Sequence, residues 1–486
     1  MGYPLSSLCD KIRGWLQDDK RLGRWRARTT RERGTHPGLV RDRGCLLGLP
    51  GAAALANKVR LPTMRHRGCQ PHTPDENRRG LTPLLLQHLA QTEPKTITIR
   101  DNCAERNTHM RLTDLIKAKN GQRCRVSAKV AWEDCDRPDY DIFFETELAF
   151  ADGLIGNPNA FLLATAIPAW FYGEKRVLVE DEICPELTEG LLTAMGWIQH
   201  WFKKTANIPA IEGKKQQTIA EPRTPERAAC FFSGGIDSMA TLRANHLNFP
   251  KEHPWRIKDG LLVYGFEIYS PESFEIVKEH LSKLARRISI NLIPVYTNHY
   301  LVFRKENGEH DFGFWTHEYI GAALAAVAHS FAKRFTVVSI ASSHNIPSLV
   351  PYGSNPLLDP NYSSCDLRIR YDNIRLARLE KTAMIAQWDD ALQNLRVCDR
   401  IQQYKPDQFN CGKCEKCVRT MLALIVQGAL DKTKAFPHRD VTKEMILKCG
   451  RIPSDRQDYY LEMLKPLDAL GRHDLVAGIK ESIGHY

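Results

Sequence analysis

No apolar run in this 486-residue chain approaches the ~18–20 residues that a membrane-crossing helix needs, which argues against a helical membrane protein. A disulfide framework is also missing. Ten of the fourteen cysteines are scattered singly and four form one cluster. With no convincing secretion signal, that distribution suits a reducing cytoplasm. The glycine-rich stretch at Ser233 lacks the Gly-Lys-Ser/Thr ending of a Walker loop, which excludes that class of nucleotide site.

An excess of charge is missing too, once the charge is located. The formal +11 looks like a nucleic-acid signature, but residues 1–80 carry 17 Lys and Arg against 7 Asp and Glu. The other 406 residues hold 51 basic and 50 acidic groups, so the body gives no argument for a polyanionic partner. Of the 17 basic residues 14 are Arg, and Gly and Pro recur among them without period. Residues 45–56 (CLLGLPGAAALA) imitate a signal core, but an Arg-rich stretch precedes them and Gly and Pro interrupt them. Asp10, Asp18, Asp19 and Glu32 speak against a transit peptide. Residues 1–90 therefore read as a basic, disordered extension. Upstream sequence read from an early start codon and a nucleic-acid-binding arm are the alternatives.

From residue 96 to 202 the pattern is strand-rich. Residues 96–100, 124–130 and 141–148 alternate, 160–170 are continuously apolar, and 176–179 form a short strand. Leu187, Leu191, Met195, Ile198 and Phe202 then fall at helical spacing after Pro185. This predicts an accessory α/β domain over 95–208, followed by a polar linker over 209–227. Beyond it, short apolar strands (228–232, 261–268, 291–296, 335–340) alternate with amphipathic helices (237–247, 272–288, 318–333). That rhythm predicts a doubly wound parallel sheet over 228–440, with ligands outside the carboxyl ends of its strands. The tail, 441–486, is helical and charged.

The most informative six residues are Ser233, Gly234, Gly235, Ile236, Asp237 and Ser238. They join a buried strand to a helix. Unpaired N–H groups at a helix start, with its dipole, favour an anion. Two glycines admit oxygens close to the backbone, and the serines add hydroxyl donors. The second signal is Cys398, Cys411, Cys414 and Cys417, a C-x12-C-x2-C-x2-C spacing that can wrap one tetrahedral Zn²⁺. An iron–sulfur cluster is the competitor.

In this order, the SGGxDS loop and the one-plus-three cysteine set resemble the 7-cyano-7-deazaguanine synthases, the queuosine branch of the N-type (PP-loop) ATP pyrophosphatases. The resemblance covers residues 228–425. Lys381 falls where that family places a lysine ahead of the zinc cysteines. The family's Arg-Asn pair is absent, since Trp315-Thr316-His317-Glu318-Tyr319 stands there, and the loop from Ser342 to Asp359 differs. With the added N-terminal segment, the chain looks more like the longer synthase-like proteins of bacterial antiphage defence operons, in which the activated deazaguanine is joined to a protein amine.

The resemblance implies the PP-loop fold with a zinc knuckle and an additional strand-rich N-terminal domain. It implies an ATP-dependent ligase using ATP, Mg²⁺ and Zn²⁺. A 7-carboxy-7-deazaguanine-like carboxylate would be adenylated, pyrophosphate released, and an amine, ammonia or a partner protein's, would capture the adenylate. Ser233, Gly234, Gly235, Ile236 and Ser238 would hold pyrophosphate, Asp237 would place Mg²⁺, and Lys381 would neutralise developing charge. Glu267 is a candidate reader of the nucleoside, and so is Asp359. His317 and His344 are candidate substrate contacts, although a lone His is more often structural. Trp197 and Trp201 read as packing residues and Cys230 as a buried strand thiol. A homodimer is compatible with all of this. The alternatives are a tRNA-modifying thiolase-like adenylase and a non-catalytic ATP-binding subunit.

Overall fold

The computed structural model describes residues 109–134, 137–217, 226–303, 310–398, 400 and 408–484. The basic extension and the strand expected at 96–100 lie outside them. The described residues form one compact unit.

Ten strands make one mixed sheet. They are β1 (His109–Asn120), β2 (Arg123–Glu133), β3 (Tyr140–Glu147), β4 (Arg176–Ile183), β5 (Ala210–Lys215), β6 (Ala228–Phe231), β7 (Ile257–Tyr264), β8 (Asn291–Thr297), β9 (Val337–Ala341) and β10 (Arg368–Asp372). Their order is β10-β9-β6-β7-β8-β3-β2-β1-β4-β5. The five strands from β10 to β8 are parallel. β8, β3, β2 and β1 then pair antiparallel, and β4 and β5 continue parallel to β1.

Within the parallel half, successive residues feed opposite faces. Ala229, Ile293, Val295 and Val338 enter one core, while Ala228, Cys230, Leu292, Tyr296 and Val337 enter the other. That is why these strands read as continuous apolar runs. The outer half buries only one face. β2 alternates strictly, with Val126, Ala128 and Val130 inside. Its other face carries a charged ladder in which Arg111 and Arg176 bind Glu133, and Arg123 and Arg125 bind Glu145.

The accessory domain expected at 95–208 is therefore continuous with the parallel half, in one sheet and sharing one of its two cores. The seam pairs Phe144, Glu145 and Thr146 with Thr297, Tyr296 and Val295. Thr146 Oγ1 donates to Pro294 O at 2.7 Å, and Asn298 bridges to Phe143 N and Asp141 O. Two further expectations are corrected. Residues 160–170 belong to helix α1 (Pro158–Phe171), capped by Asn157. Burial on every side removes its period and leaves an unbroken apolar run. The linker contains β5, an edge strand whose polar side chains conceal it.

The longer of the remaining helices are α2 (Pro185–Phe202), α3 (Ile236–Asn248), α4 (Pro271–Arg287), α5 (Ile320–Ser330), α6 (Arg378–Ala386), α7 (Glu415–Val426), α8 (Gln457–Ala469) and α9 (His473–Ile483). No helix among the described residues is long and apolar enough to cross a membrane.

Asp359 is a structural carboxyl. It is fully buried, accepts hydrogen bonds from Ser354 Oγ and Asn355 N, and lies where any Cβ on Gly321 would strike it. Burial pushes its pKa up to about 7, and the two hydrogen bonds offset only part of that. The native state thus holds a proton that the unfolded chain releases near pH 4. Stability should fall as pH rises from about 4 to 7, with a limiting slope of ~1.4 kcal/mol per unit. Denaturant melts of wild type and Asp359→Asn at pH 5, 6, 7 and 8 check this. Parallel curves would remove the assignment.

Candidate functional site

The loop after β6 is held from below and from the side. Phe232 N donates to Leu261 O on the neighbouring strand, and the chain then turns at Gly234, whose φ is +80°. A Cβ there would lie 3.0 Å from Leu281, so glycine is needed for both conformation and space. Gly235 caps α3 and Ile236 anchors it, its side chain buried in the core. Ile236 therefore has only its backbone to offer a ligand. Ser238 Oγ donates to Gly235 O at 3.1 Å and lies 3.4 Å from Ser233 Oγ.

Asp237, in the first turn of α3, faces two cations from α6. Arg378 Nη1 donates to its Oδ2 at 2.8 Å and Lys381 Nζ to its Oδ1 at 3.2 Å. Those cations are three residues apart and so share one helix face. Lys381 is fully buried and also donates to Ser342 O and Oγ at the end of β9. Burial works against the Asp237 charge, but Arg378 and then Lys381 outweigh it and hold the carboxyl below its ordinary value. Burial lowers the Lys381 ammonium pKa, and Asp237 offsets part of that.

Beside them stands an aromatic wall. Tyr459 on α8 stacks on His344 with centroids 5.5 Å apart, and its hydroxyl contacts Ser343 O and a ring nitrogen of His344 at 3.1 Å. Tyr352 stands edge-on to His344 at 6.3 Å. Glu267 is exposed, and its charge acts on Tyr352. Glu462, also from α8, accepts from Leu379 N at 2.9 Å. Also against Tyr459, along α7, lies the guanidinium of Arg419, 4.7 Å from the ring centroid.

The four cysteines also converge. Their sulfurs all lie within 4.8 Å of one another, with Cys411–Cys417 at 3.9 Å and Cys414–Cys398 at 3.8 Å. Such a cluster could bind a metal such as zinc. Backbone N–H groups of Arg400, Lys413 and Cys414 point at the sulfurs, a distribution suited to thiolates. Gly412 turns the knuckle at φ +69°, with Pro437 and His438 filling the space of any Cβ.

One segment joins the two sites. Arg396, two residues before Cys398, donates from its backbone N to Gly234 O at 2.9 Å and from Nε to Ser233 O at 2.8 Å. Asn410, just before Cys411, accepts from Val397 N and donates to Leu395 O. Replacing Arg396 with Met should cost about 1.5–3 kcal/mol, the range for a charged hydrogen bond. Amide exchange at Ser233–Gly235 should rise with it. Unchanged exchange there would show that the latch does not hold the loop.

The structure thus brings together the loop, Asp237, Ser238, Lys381 and His344, with Glu267 at the edge through Tyr352. It does not bring in His317, which is exposed and packs on Phe202 of α2. Trp197 and Trp201 pack against each other with their rings tilted, but Trp197 is 38% exposed and is not a core residue. Cys230 is fully buried, and burial raises its thiol pKa, which leaves it unsuited to nucleophilic attack.

Sequence reading missed Ser342, Arg378, Arg419 and Tyr459. Arg378 was within reach as the i−3 neighbour of Lys381, whereas Tyr459 sits in a tail with no motif. No family model, no curated protein and no solved structure matches the chain.

Proposed function

We propose that the chain is an ATP-dependent ligase that adenylates a 7-carboxy-7-deazaguanine-like carboxylate and passes it to an amine. The observation that carries this is Asp237, in the first turn of the helix behind a Ser-Gly-Gly loop, gripped by Arg378 and buried Lys381. The loop offers backbone N–H groups to phosphate oxygens. The three side chains put charge where a phosphoryl transfer develops it.

In the reaction a carboxylate oxygen attacks the α-phosphorus. The bond from that phosphorus to the β-bridging oxygen breaks, and its electron pair leaves with pyrophosphate. Ser233, Ser238 and the backbone from Gly234 to Ile236 hold the leaving group. Lys381, fixed by Ser342, offsets its growing charge. Asp237, kept ionised by Arg378 and Lys381, would hold Mg²⁺, which would supply neutralising charge to phosphate oxygens. The amine, ammonia or one on a partner protein, then displaces AMP and loses a proton. The aromatic wall of Tyr459, His344 and Tyr352 suits a flat heterocycle, with Glu267 at its edge.

The cysteine cage in this reading holds structural zinc. A tetrahedron with Zn–S of about 2.3 Å has edges of roughly 3.8 Å, in line with sulfur separations of 3.8 and 3.9 Å. An iron–sulfur cluster would spread the ligands over several irons, and iron in anaerobically purified protein would count against zinc and for a thiolase-like adenylase. The test of function is pyrophosphate release from Mg-ATP with 7-carboxy-7-deazaguanine, with and without ammonia. Release that depends on the carboxylate is expected, and equal ATP breakdown without it would sink the reading.

A further inference from the structure

One buried charge has no task in that reaction. Only 6% of the Arg419 side chain is exposed, and its Nε and Nη1 make no hydrogen bond. The nearest carboxylate, Glu415 one turn earlier on α7, lies 3.4 Å from Nε. Its oxygens already accept from the Tyr460 hydroxyl at 2.9 Å and Arg456 Nη1 at 3.2 Å. A guanidinium keeps its charge in a protein, so open donors on a buried one are costly unless something meets them.

A second arginine, half-buried, stands beside it. The guanidinium carbons of Arg419 and Arg378 lie 4.7 and 5.3 Å from the centroid of one ring, Tyr459. With Lys381, three cations, two of them buried, face Asp237 and Glu415, and Glu415 is shared with Arg456. The third carboxyl nearby, Glu462, is pushed by burial up to about 7. Arg378 reaches Asp237 in the first turn of α3, so one member of the pair touches the helix that follows the glycine-rich loop. Arginine forks with free donors match phosphate oxygens in geometry as well as charge.

We infer that Arg419 and Arg378 form an anion-binding arm beside the loop, which takes the outer phosphates of a nucleoside triphosphate and retains them as pyrophosphate. The inference rests on the adenylation reading for where pyrophosphate comes from, but the affinity for it does not.

The full chain is therefore titrated calorimetrically with sodium pyrophosphate, without carboxylate and so without turnover. Arg419→Met should weaken binding at least tenfold. Arg419→Lys should recover only part, because the charge stays and the fork is lost. Melting temperature and bound metal, measured on each variant, separate a lost contact from a lost fold. If Arg419→Met does not fold, Arg419→Lys carries the test alone. A folded Arg419→Lys protein with wild-type pyrophosphate affinity overturns the inference, even if the wild type adenylates its carboxylate. Arg419-dependent pyrophosphate binding in a protein that never turns over supports the arm and removes the adenylation reading.

Discussion

Asp237→Ala is expected to lower pyrophosphate release at least about a thousandfold and to destabilise the fold by about 3–5 kcal/mol. Both effects come from one carboxylate. It is the counter-charge of Arg378 and Lys381, and Lys381 is fully buried. Without it two cations remain in a site that cannot hydrate them. Asp237→Asn separates the two losses. The amide keeps an oxygen for one donor, so stability should suffer less, while activity falls as far because the negative charge is gone. The pH behaviour has a definite sign. The folded carboxyl titrates below its ordinary value, so its stabilisation is present above the unfolded value, near 4, and is lost as pH falls through the folded one. The difference in stability between wild type and Asp237→Asn should therefore shrink in acid. Wild-type pyrophosphate release from Asp237→Ala would remove the site from the mechanism altogether.

That carboxylate was legible in the sequence because its signal is local. A strand, two glycines and a helix start occupy consecutive positions, and the structure puts Gly234 at positive φ and Asp237 in the first turn, as the spacing requires. The cysteine cage was legible for the same reason, three of its members lying within seven residues. What the sequence concealed is long-range. Arg378, Arg419 and Tyr459 meet only because α6, α7 and α8 converge beside the loop, and nothing in the charged tail marks Tyr459 as different from any helical tyrosine. The seam between β3 and β8 was concealed as well, since an antiparallel pairing across some 150 residues leaves no periodic trace. Continuous apolar stretches are ambiguous: they read correctly as a strand at 291–296 and misled at 160–170. The same pattern marks β8, buried on both faces, and α1, buried all round, and only length and the Asn157 cap distinguish them.

Stripping metal from the cysteine cluster should lower the melting temperature by roughly 10 °C or more, and it should also loosen the glycine-rich loop. The first effect follows from four sulfurs held within 4.8 Å of one another. Their mutual repulsion as thiolates is tolerable only around a cation, and the knuckle has little else to close it. The second follows from the chain path. Cys398 is covalently two residues from Arg396, whose side chain and backbone fasten Ser233 O and Gly234 O, and Asn410 ties the same strand of chain to the segment entering Cys411. Losing the metal frees both ends of that brace together. Amide exchange at Ser233–Gly235 should therefore rise in Cys398→Ser and in chelator-treated protein, and pyrophosphate affinity should fall with it. Cys449→Ser is the control. That thiol bonds Met445 O and lies near Lys413 O, yet it stands outside the four-sulfur set, so its loss should move neither readout. If Cys398→Ser melts early while exchange in the loop stays at the wild-type rate, the cage stabilises its own knuckle alone. The Arg396 contacts then survive without it, and the phosphate site is preorganised by the sheet and α3 rather than by the metal.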